Sequence, residues 1–398
     1  MKTALIICTF ILTTLSTYCK IDTIFAGNVV QLEETENAII YGIEDFTVSP
    51  NKAECMIINK TGLSILKYHI KTGKLIKEFK STPSLNKYLI KKPEYWYDKT
   101  FNNYLVIRNK IAQEQVGLDT TGIQNNFITL FYIDDSTIAA GITFRAFAVD
   151  TINTKSVLMN LGGVIVFDNN LNILYATPLE ATEREFPLYV YSYNSNKKYI
   201  IASSSNYITK NKDSMSIFSE YYINGKHKKL LSNLPLDYVE SRLNYSLFNP
   251  KPSLINFNDK IYWTCPYDYK IRCINKKFSF KIQGFNTSNY DVWKLLLKQN
   301  KKINIINKNS RKKKIGMNIK IGKLYKWNDT TIVVTIMNKA HKYYLQFYSC
   351  TGKFLRHFVI QGPKNHEIVS ITYLPKKHYI YAITLDKNNY YIVKYEIP

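Results

Sequence analysis

The residues with the clearest capacity for binding chemistry are basic side chains near position 310. Lys308, Arg311, Lys312, Lys313 and Lys314 lie within seven positions that contain no acidic residue. A run of this kind can hold phosphate groups or anionic lipid headgroups. It lacks the interleaved aromatic side chains on which single-stranded nucleic acid stacks, so we expect no nucleic-acid partner. The alternative interpretation is a solvated surface loop.

The chain as a whole is also basic. Its 54 Lys and Arg residues outnumber 30 Asp and Glu residues, which gives a formal net charge of +24. Such a charge favours contact with an anionic membrane surface or an acidic glycan. Scattered lysines account for most of the excess, so the charge alone does not identify a partner. Aromatic residues make up 14% of the chain, a composition that favours strands over disorder.

Cys19 lies at the end of a segment with the pattern of a secretory signal. Lys2 precedes an apolar run over residues 4–15, which has the length of a signal h-region and is too short to span a membrane. We therefore predict a signal peptide over residues 1–19 and export to the periplasm, the outer membrane or the cell surface. Residues 15–19, LSTYC, resemble a bacterial lipobox except at Tyr18, where a small residue is usual. Lipidation of Cys19, ordinary cleavage and an uncleaved anchor all remain open.

Four cysteines follow the signal segment: Cys55, Cys265, Cys273 and Cys350. An even number in an exported protein permits disulfides, and Cys265 and Cys273 can close a hairpin if they lie opposite each other. Free buried thiols are the alternative. Neither CxxC nor HxxxH spacing occurs, so the sequence predicts no metal site and no cofactor.

Motifs of known catalytic sites are absent from the sequence. It has no GxSxG elbow, no P-loop, no GxGxxG and no HExxH. Asp134 and Asp135 form an acidic pair that either binds a cation or makes an ordinary polar turn. Glu180, Glu183 and Glu185 cluster in a connection between strands. The catalytic residues of any reaction are therefore unknown from sequence.

The candidate residues named above lie in a chain that repeats one pattern of strands. Residues 343–362 and 65–79 each read as two aromatic-rich strands around a turn that contains glycine. Similar strand–strand–hairpin units span residues 39–79, 127–179, 187–235, 252–284, 324–362 and 367–398. A spacing of about 40 to 50 residues is typical of propeller blades. The sequence predicts an all-β, six-bladed β-propeller, or seven blades if residues 80–126 form a degenerate one.

The sixth unit has only three strands. An unpartnered strand at residues 24–32 can supply the fourth and close the ring. The prediction is therefore one propeller domain over residues 24–398, after the signal segment, with a basic insertion at residues 286–322. A two-domain β-sandwich is the structural alternative, but it does not predict a unit that recurs along the chain.

The repeats SILKYHIKTGKLIKEF, VIVFDNNLNILYATPL and LQFYSCTGKFLRHFVIQGP resemble those of six-bladed propellers in bacterial exported proteins. The resemblance is to the NHL-like and TolB-like superfamily, and especially to uncharacterised propeller proteins and lipoproteins of the Bacteroides group. It implies a propeller fold and a periplasmic or surface setting. It carries no catalytic motif, because this fold hosts many activities as well as pure binding modules.

The sequence favours an exported, envelope-associated propeller that acts as a non-catalytic protein- or glycan-binding module through one face. The alternative is a propeller enzyme, a glycan hydrolase or lyase or a lactonase-like hydrolase, with its site at the central channel. Such an enzyme needs carboxylates or histidines from several blades within hydrogen-bond reach of one another. A third hypothesis, a basic envelope-lipid binder, needs the basic residues of 298–326 on one exposed face.

Overall fold

The structure is a computed structural model. It describes residues 22–36, 38–59, 63–82, 85, 104–107, 125–150, 156–180, 187–193, 199–204, 216–233, 252–257, 260–265, 269–274, 278–283, 319–338, 343–374 and 378–398. Regular structure in these ranges is β-strand, with no α-helix among them. Accordingly, the described part of the chain contains no helix with the length and apolar character needed to cross a membrane.

The described residues form 26 strands in six sheets, which we call blades 1 to 6. The chain starts with two short strands, β1 (Asp22–Ile24) and β2 (Val29–Gln31). Blade 1 contains β3 (Ile43–Val48), β4 (Glu54–Asn59), β5 (Ser64–His69) and β6 (Leu75–Lys80). Blade 2 contains β7 (Tyr104–Ile107), β8 (Asn125–Tyr132), β9 (Thr137–Asp150), β10 (Ser156–Asp168) and β11 (Ile173–Pro178). Blade 3 contains β12 (Pro187–Tyr193), β13 (Tyr199–Ser204), β14 (Ser216–Tyr222) and β15 (His227–Asn233).

The remaining blades follow the same order. Blade 4 contains β16 (Ser253–Phe257), β17 (Lys260–Thr264), β18 (Lys270–Cys273) and β19 (Phe278–Lys281). Blade 5 contains β20 (Ile319–Asn328), β21 (Thr331–Asn338), β22 (Tyr343–Ser349) and β23 (Phe354–Ile360). Blade 6 contains β24 (Glu367–Leu374), β25 (Tyr379–Asp386) and β26 (Asn389–Glu396). Each blade is an antiparallel meander whose first long strand faces the axis of the ring, so the chain is a six-bladed β-propeller.

The hydrophobic core is divided into layers between consecutive blades. Six clusters of buried side chains lie between blades 1 and 2, 2 and 3, 3 and 4, 4 and 5, 5 and 6, and 6 and 1. Middle strands are covered on both faces, which explains the continuous apolar runs of β4 (ECMIIN) and β25 (YIYAITLD). Outer strands such as β6 are covered less completely, and their sequence is correspondingly more polar.

Two N-terminal strands close the ring. Strand β2 pairs antiparallel with β26, with Val29 opposite Val393, and so supplies the fourth strand of blade 6 as predicted. Strand β1 pairs parallel with β23, with Asp22 opposite Phe358, a contact that the sequence did not predict. The N-terminal segment therefore covers the outer edges of blades 5 and 6, which otherwise present unpaired backbone groups.

The outer hairpins turn where the sequence places glycine. Gly73, Gly225 and Gly352 have φ angles of 70°, 87° and 92°, a region that side chains with a Cβ atom rarely adopt. The blade 2 hairpin has no glycine in its turn, and a leucine takes this conformation instead. There Leu171 has a φ of 56°. Its side chain is buried in the core between blades 1 and 2, and this burial holds the backbone in a conformation that leucine otherwise avoids.

Two predicted boundaries are corrected by the strand pairing. Strand β7 joins blade 2 by pairing with β9, so residues 104–107 do not start a seventh sheet. Strand β20 begins at Ile319 and pairs with β21, so the last four residues of the predicted 286–322 insertion belong to blade 5. The predicted signal segment at residues 1–19 lies outside the described residues.

Candidate functional site

An ion pair with one buried partner links the innermost strands of two blades across the central channel. Asp45 lies on β3 of blade 1 and is 4% exposed. Its Oδ1 atom pairs with the Nζ atom of Lys323, which lies on β20 of blade 5. Blade 6 separates blades 1 and 5 in the ring, so this contact between two innermost strands spans the central channel. The pair therefore joins blades that do not otherwise neighbour each other.

The carboxylate of Asp45 has bonding partners on several blades of the ring. Its Oδ2 atom accepts a hydrogen bond of 2.9 Å from the backbone nitrogen of Leu130 on blade 2. Its Oδ1 atom also accepts one of 3.0 Å from the backbone nitrogen of Phe46. The carboxylate thus contacts blades 1, 2 and 5 at once. A buried carboxylate is tolerated only with such partners, because an unpaired charge in the interior is strongly unfavourable.

Uncharged hydroxyl groups make similar links beside this pair. The hydroxyl of Tyr325 on blade 5 donates a hydrogen bond of 2.8 Å to the carbonyl oxygen of Ile371 on blade 6. Burial, and next the nearby charge of Asp45, raise the pKa of Tyr325 well above its usual value. Thr129 of blade 2 donates a bond of 2.6 Å to the carbonyl oxygen of Val190 on blade 3. These contacts connect blades rather than leave donors directed at a ligand.

A second concave region lies between blades 6 and 1, and we call it the 6–1 cleft. Its volume is about 670 Å³. Its walls come from the β1–β2 connection, from the β3–β4 and β5–β6 turns of blade 1, and from β2, β25 and β26. The described residues that line it are Asn28, Val29, Val30, Asn51, Lys52, Ile70, Lys71, Tyr379, Tyr381, Ile392 and Lys394.

The floor of the 6–1 cleft is apolar and its rim is polar. Ile70, Tyr381 and Ile392 are 8%, 3% and 2% exposed and belong to the core between blades 6 and 1. Burial also raises the pKa of Tyr381, so its hydroxyl stays protonated at neutral pH. Asn28 and Asn51 are exposed on the rim. The cleft therefore offers an apolar base surrounded by hydrogen-bonding groups, which is the usual composition of a small-ligand site.

Lysine side chains of the cleft gather around one tyrosine ring. The Nζ atom of Lys52 lies 4.0 Å from the ring centroid of Tyr379, and that of Lys394 lies 3.8 Å from it. Lys394 also forms an ion pair of 2.9 Å with Glu396. The hydrogen bond that Lys394 donates to Glu396 raises the pKa of Lys394 above its usual value.

Backbone hydrogen bonds fix the positions of these lysines. Lys52 has a φ of 61° in the β3–β4 turn, and its backbone nitrogen donates a bond of 2.8 Å to the carbonyl oxygen of Ser49. The Oδ1 atom of Asn51 accepts bonds from Ser49 and Ala53 in the same turn. On the opposite wall, the backbone nitrogen of Lys394 donates to Asn28 at 3.0 Å. The cleft therefore exists before any ligand binds.

The predicted disulfide is not formed. Cys265 and Cys273 are free buried thiols. Tyr262 pairs with Cys273 across β17 and β18, so Cys265 lies three residues beyond the position opposite Cys273. The two thiols also face opposite sides of blade 4, because Cys265 packs towards blade 3 and Cys273 towards blade 5. Strand alternation therefore keeps them apart.

The remaining predicted site residues either lie outside the described residues or make ordinary local contacts. Cys19 and the basic residues Lys308, Arg311, Lys312, Lys313 and Lys314 lie outside the described residues. Asp134 accepts hydrogen bonds from the backbone and hydroxyl of Ser136, as an ordinary polar turn does. Glu180 accepts a bond of 2.6 Å from the backbone nitrogen of His227. Among the described residues, no group of three His, Cys, Asp or Glu side chains is arranged to hold a metal ion.

Comparisons with known proteins find only distant likenesses, and these are to solved structures. No protein-family model matches the chain, and no curated protein matches it. A calcium-binding protein, regucalcin from Agrobacterium tumefaciens, is 10% identical with a TM-score of 0.42 over 95% of this chain and 97% of that one. A luciferin-regenerating enzyme is 8% identical with a TM-score of 0.41, over 93% and 95%. A periplasmic gluconolactonase from Pseudomonas aeruginosa is 8% identical with a TM-score of 0.37, over 85% and 77%. At such identities these are likenesses of fold, and no activity carries over from them.

Proposed function

We propose that this protein is an exported, envelope-associated β-propeller that acts as a non-catalytic binding module, and that it holds a glycan in the 6–1 cleft. The observation that carries the proposal is the lining of that cleft. A sugar ring has an apolar C–H face and a border of hydroxyl groups. The apolar floor and polar rim of the cleft match these two properties.

A glycan fits the cleft better than a protein surface does. The cleft is a concave space of about 670 Å³, within the size range of small-ligand sites, whereas stable protein–protein interfaces cover broad areas. The lining includes tyrosine, asparagine and lysine side chains, which supply donors for sugar hydroxyl groups. A protein partner therefore becomes an outcome to be tested rather than the first expectation.

The alternative of a channel enzyme has less support. Its best candidate is the carboxylate of Asp45, which is the buried acidic group at the axis. That carboxylate already accepts a hydrogen bond from Leu130 and pairs with Lys323. Catalysis by Asp45 would require breaking contacts that connect three blades. Glycan binding without turnover is the function that requires no such change.

Filling the cleft tests this proposal. Val29 lines the cleft and is 43% exposed on β2, so tryptophan can replace it without entering the core. We expect Val29→Trp to weaken binding of a glycan identified by array screening at least about tenfold, or about 1.4 kcal/mol. Leu355→Trp is the matched control, since Leu355 is also 43% exposed but lies on blade 5 away from the cleft. Binding is measured by calorimetry.

Three results would overturn the proposal. Equal binding by wild type and Val29→Trp would place the glycan elsewhere. Failure of every glycan to bind, with capture of a protein partner that Val29→Trp disrupts, would replace the glycan with a protein. Release of cleaved product from a bound glycan would favour the enzyme alternative.

Export is tested by the mass of the mature protein after expression in a bacterial host. We expect cleavage close to residue 19, with the added mass of lipid if Cys19 is modified. A cleaved chain without lipid leaves a soluble exported propeller. Retention of Met1 would contradict export and the envelope setting, although it would leave the cleft proposal to its own test.

A further inference from the structure

We infer that the 6–1 cleft selects an acidic sugar, whose carboxylate or sulfate group is bound by Lys52, Lys71 and Lys394. The inference rests on the proposed function and adds the charge of the ligand to it. Both groups are oxyanions that present several acceptor oxygens on one side of a sugar ring, which is the shared chemistry that the lysines recognise.

The charge of the cleft has one sign. Among the described residues that line it, three are lysines and none is acidic. Glu396 lies beside the cleft and pairs with Lys394 at 2.9 Å, so it offsets one of the three positive charges. This set of lysines favours an anion over a neutral ligand. It also favours an anion bound within the cleft, because the low-dielectric floor weakens screening by water.

The geometry of two lysines suits a single oxyanion. Because both Nζ atoms approach the same ring centroid, at 4.0 Å for Lys52 and 3.8 Å for Lys394, they lie at most about 7.8 Å apart. A carboxylate or sulfate can accept hydrogen bonds from both. The ring of Tyr379 stabilises the pair through cation–π attraction before the anion arrives.

The backbone organises this arrangement in advance. Lys52 and Lys71 lie on two turns of blade 1 that are joined by a hydrogen bond of 2.9 Å from the nitrogen of Ile70 to the carbonyl oxygen of Ala53. Lys394 lies on β26 of blade 6 and is hydrogen-bonded through its backbone to Gly27 and Asn28. Binding therefore orders side chains but not main chain, which limits its entropic cost.

The occupant is a sugar rather than a free anion, because the floor of the cleft is apolar. Val29 and Ile70 contribute an apolar surface that inorganic sulfate cannot cover. An acidic sugar covers this surface with its ring while its oxyanion reaches the lysines. Inorganic sulfate should therefore compete only weakly, and the neutral form of the same sugar should lose the lysine contacts.

Calorimetry on the intact protein tests the inference with four probes. The probes are a uronic-acid oligosaccharide, a sulfated oligosaccharide of equal length, a neutral oligosaccharide of equal length, and sodium sulfate. We expect at least one acidic oligosaccharide to bind about tenfold or more tightly than the neutral one, with an affinity that falls as salt rises. Whichever acidic probe binds better identifies carboxylate or sulfate as the natural group.

Lysine variants test whether the preference for an acidic sugar arises in the 6–1 cleft. Lys52→Gln and Lys394→Gln should each weaken the acidic probe about fivefold to tenfold and leave the neutral probe within about twofold. Lys353→Gln is the matched control, since Lys353 is an exposed turn lysine on blade 5. Thermal melting confirms that each variant is folded.

The outcomes separate this inference from the proposed function. If neutral and acidic oligosaccharides bind equally, and the lysine variants change nothing, the acidic-sugar inference is wrong while glycan binding stands. If sulfate alone binds as tightly as the sulfated oligosaccharide, the sugar ring contributes nothing and the inference is also wrong. If no oligosaccharide binds, the proposed function itself fails.

Discussion

The central channel and the 6–1 cleft both contain lysines, but they use them differently. In the channel, Lys323 is directed at Asp45, whose carboxylate also accepts a backbone bond from Leu130. In the cleft, Lys52 and Lys394 both approach the uncharged ring of Tyr379, and Lys394 also pairs with Glu396, whose side chain is 69% exposed. A charge matched inside the protein contributes to the fold, whereas charges of one sign gathered around a cleft attract a ligand. The channel is therefore expected to govern stability and the cleft to govern binding.

The largest expected effect follows from removing the channel carboxylate. Asp45→Ala leaves the amide of Leu130 without its acceptor and Lys323 without its counter-charge, so we expect a loss of about 3 kcal/mol in the free energy of unfolding. Asp45→Asn keeps an oxygen for the amide and should cost less. Chemical denaturation measures both variants. Asp329→Ala is the control, because Asp329 pairs with Lys326 at the surface, where its side chain is 85% exposed, and such pairs contribute about 1 kcal/mol or less.

A smaller loss is expected from Lys323, whose side chain is 38% exposed. Water partly replaces its contacts, so Lys323→Met should cost about 1 to 2 kcal/mol. The double variant Asp45→Asn with Lys323→Met should lose less than the sum of the single losses, because the two groups interact directly. Strictly additive losses would show that the channel pair does not couple blades 1 and 5.

Alkaline pH should weaken the interface between blades 4 and 5. Burial raises the pKa of Tyr262 from 10.0 to about 12, and its hydroxyl donates to the carbonyl oxygen of Cys350 on blade 5. A raised folded-state pKa means that the unfolded chain ionises first, so this stabilisation is complete below pH 10 and is lost as pH rises towards about 12. Tyr262→Phe should make stability fall less steeply over that range. Equal slopes for the two proteins would contradict the assignment.

The smallest expected change in stability comes from the cleft lysines. Lys52→Gln and Lys394→Gln remove partly exposed charges, so we expect the free energy of unfolding to change by about 0.5 kcal/mol or less. The same variants should weaken binding of an acidic oligosaccharide. Denaturation and calorimetry on one preparation measure both quantities. A large loss of stability from either lysine would remove the distinction between the two regions.

The fold was predictable because its signals are local. The glycine turns, the apolar middle strands and the repeat spacing each lie within one blade, and the missing strand of blade 6 pointed to the N-terminal segment. The parallel pairing of β1 with β23 was not predictable, since β1 has three residues and its partner lies more than 330 residues along the chain. The positive φ of Leu171 was also not predicted, because burial rather than turn propensity sets its backbone conformation.

The candidate site was predictable to a smaller extent. Basic residues were expected to bind anions, but the expectation fell on residues 308–314, and the cleft lysines were not singled out. Lys52, Lys71 and Lys394 are scattered along the sequence and meet only when the ring closes between blades 6 and 1. Asp45 was missed for a related reason, because its partner Lys323 is 278 residues away. In the sequence, a lone acidic residue in a strand looks the same whether its side chain is buried in the channel or exposed at the surface.

A crystal structure of the protein with a bound acidic oligosaccharide tests the central claim most directly. We predict that the sugar ring lies on Val29 and Ile70 in the 6–1 cleft, that its oxyanion contacts at least one of the cleft lysines, and that the Asp45–Lys323 pair is unchanged. A ligand bound in the central channel, with the Asp45–Lys323 pair opened to contact it, would contradict the account and favour the enzyme alternative.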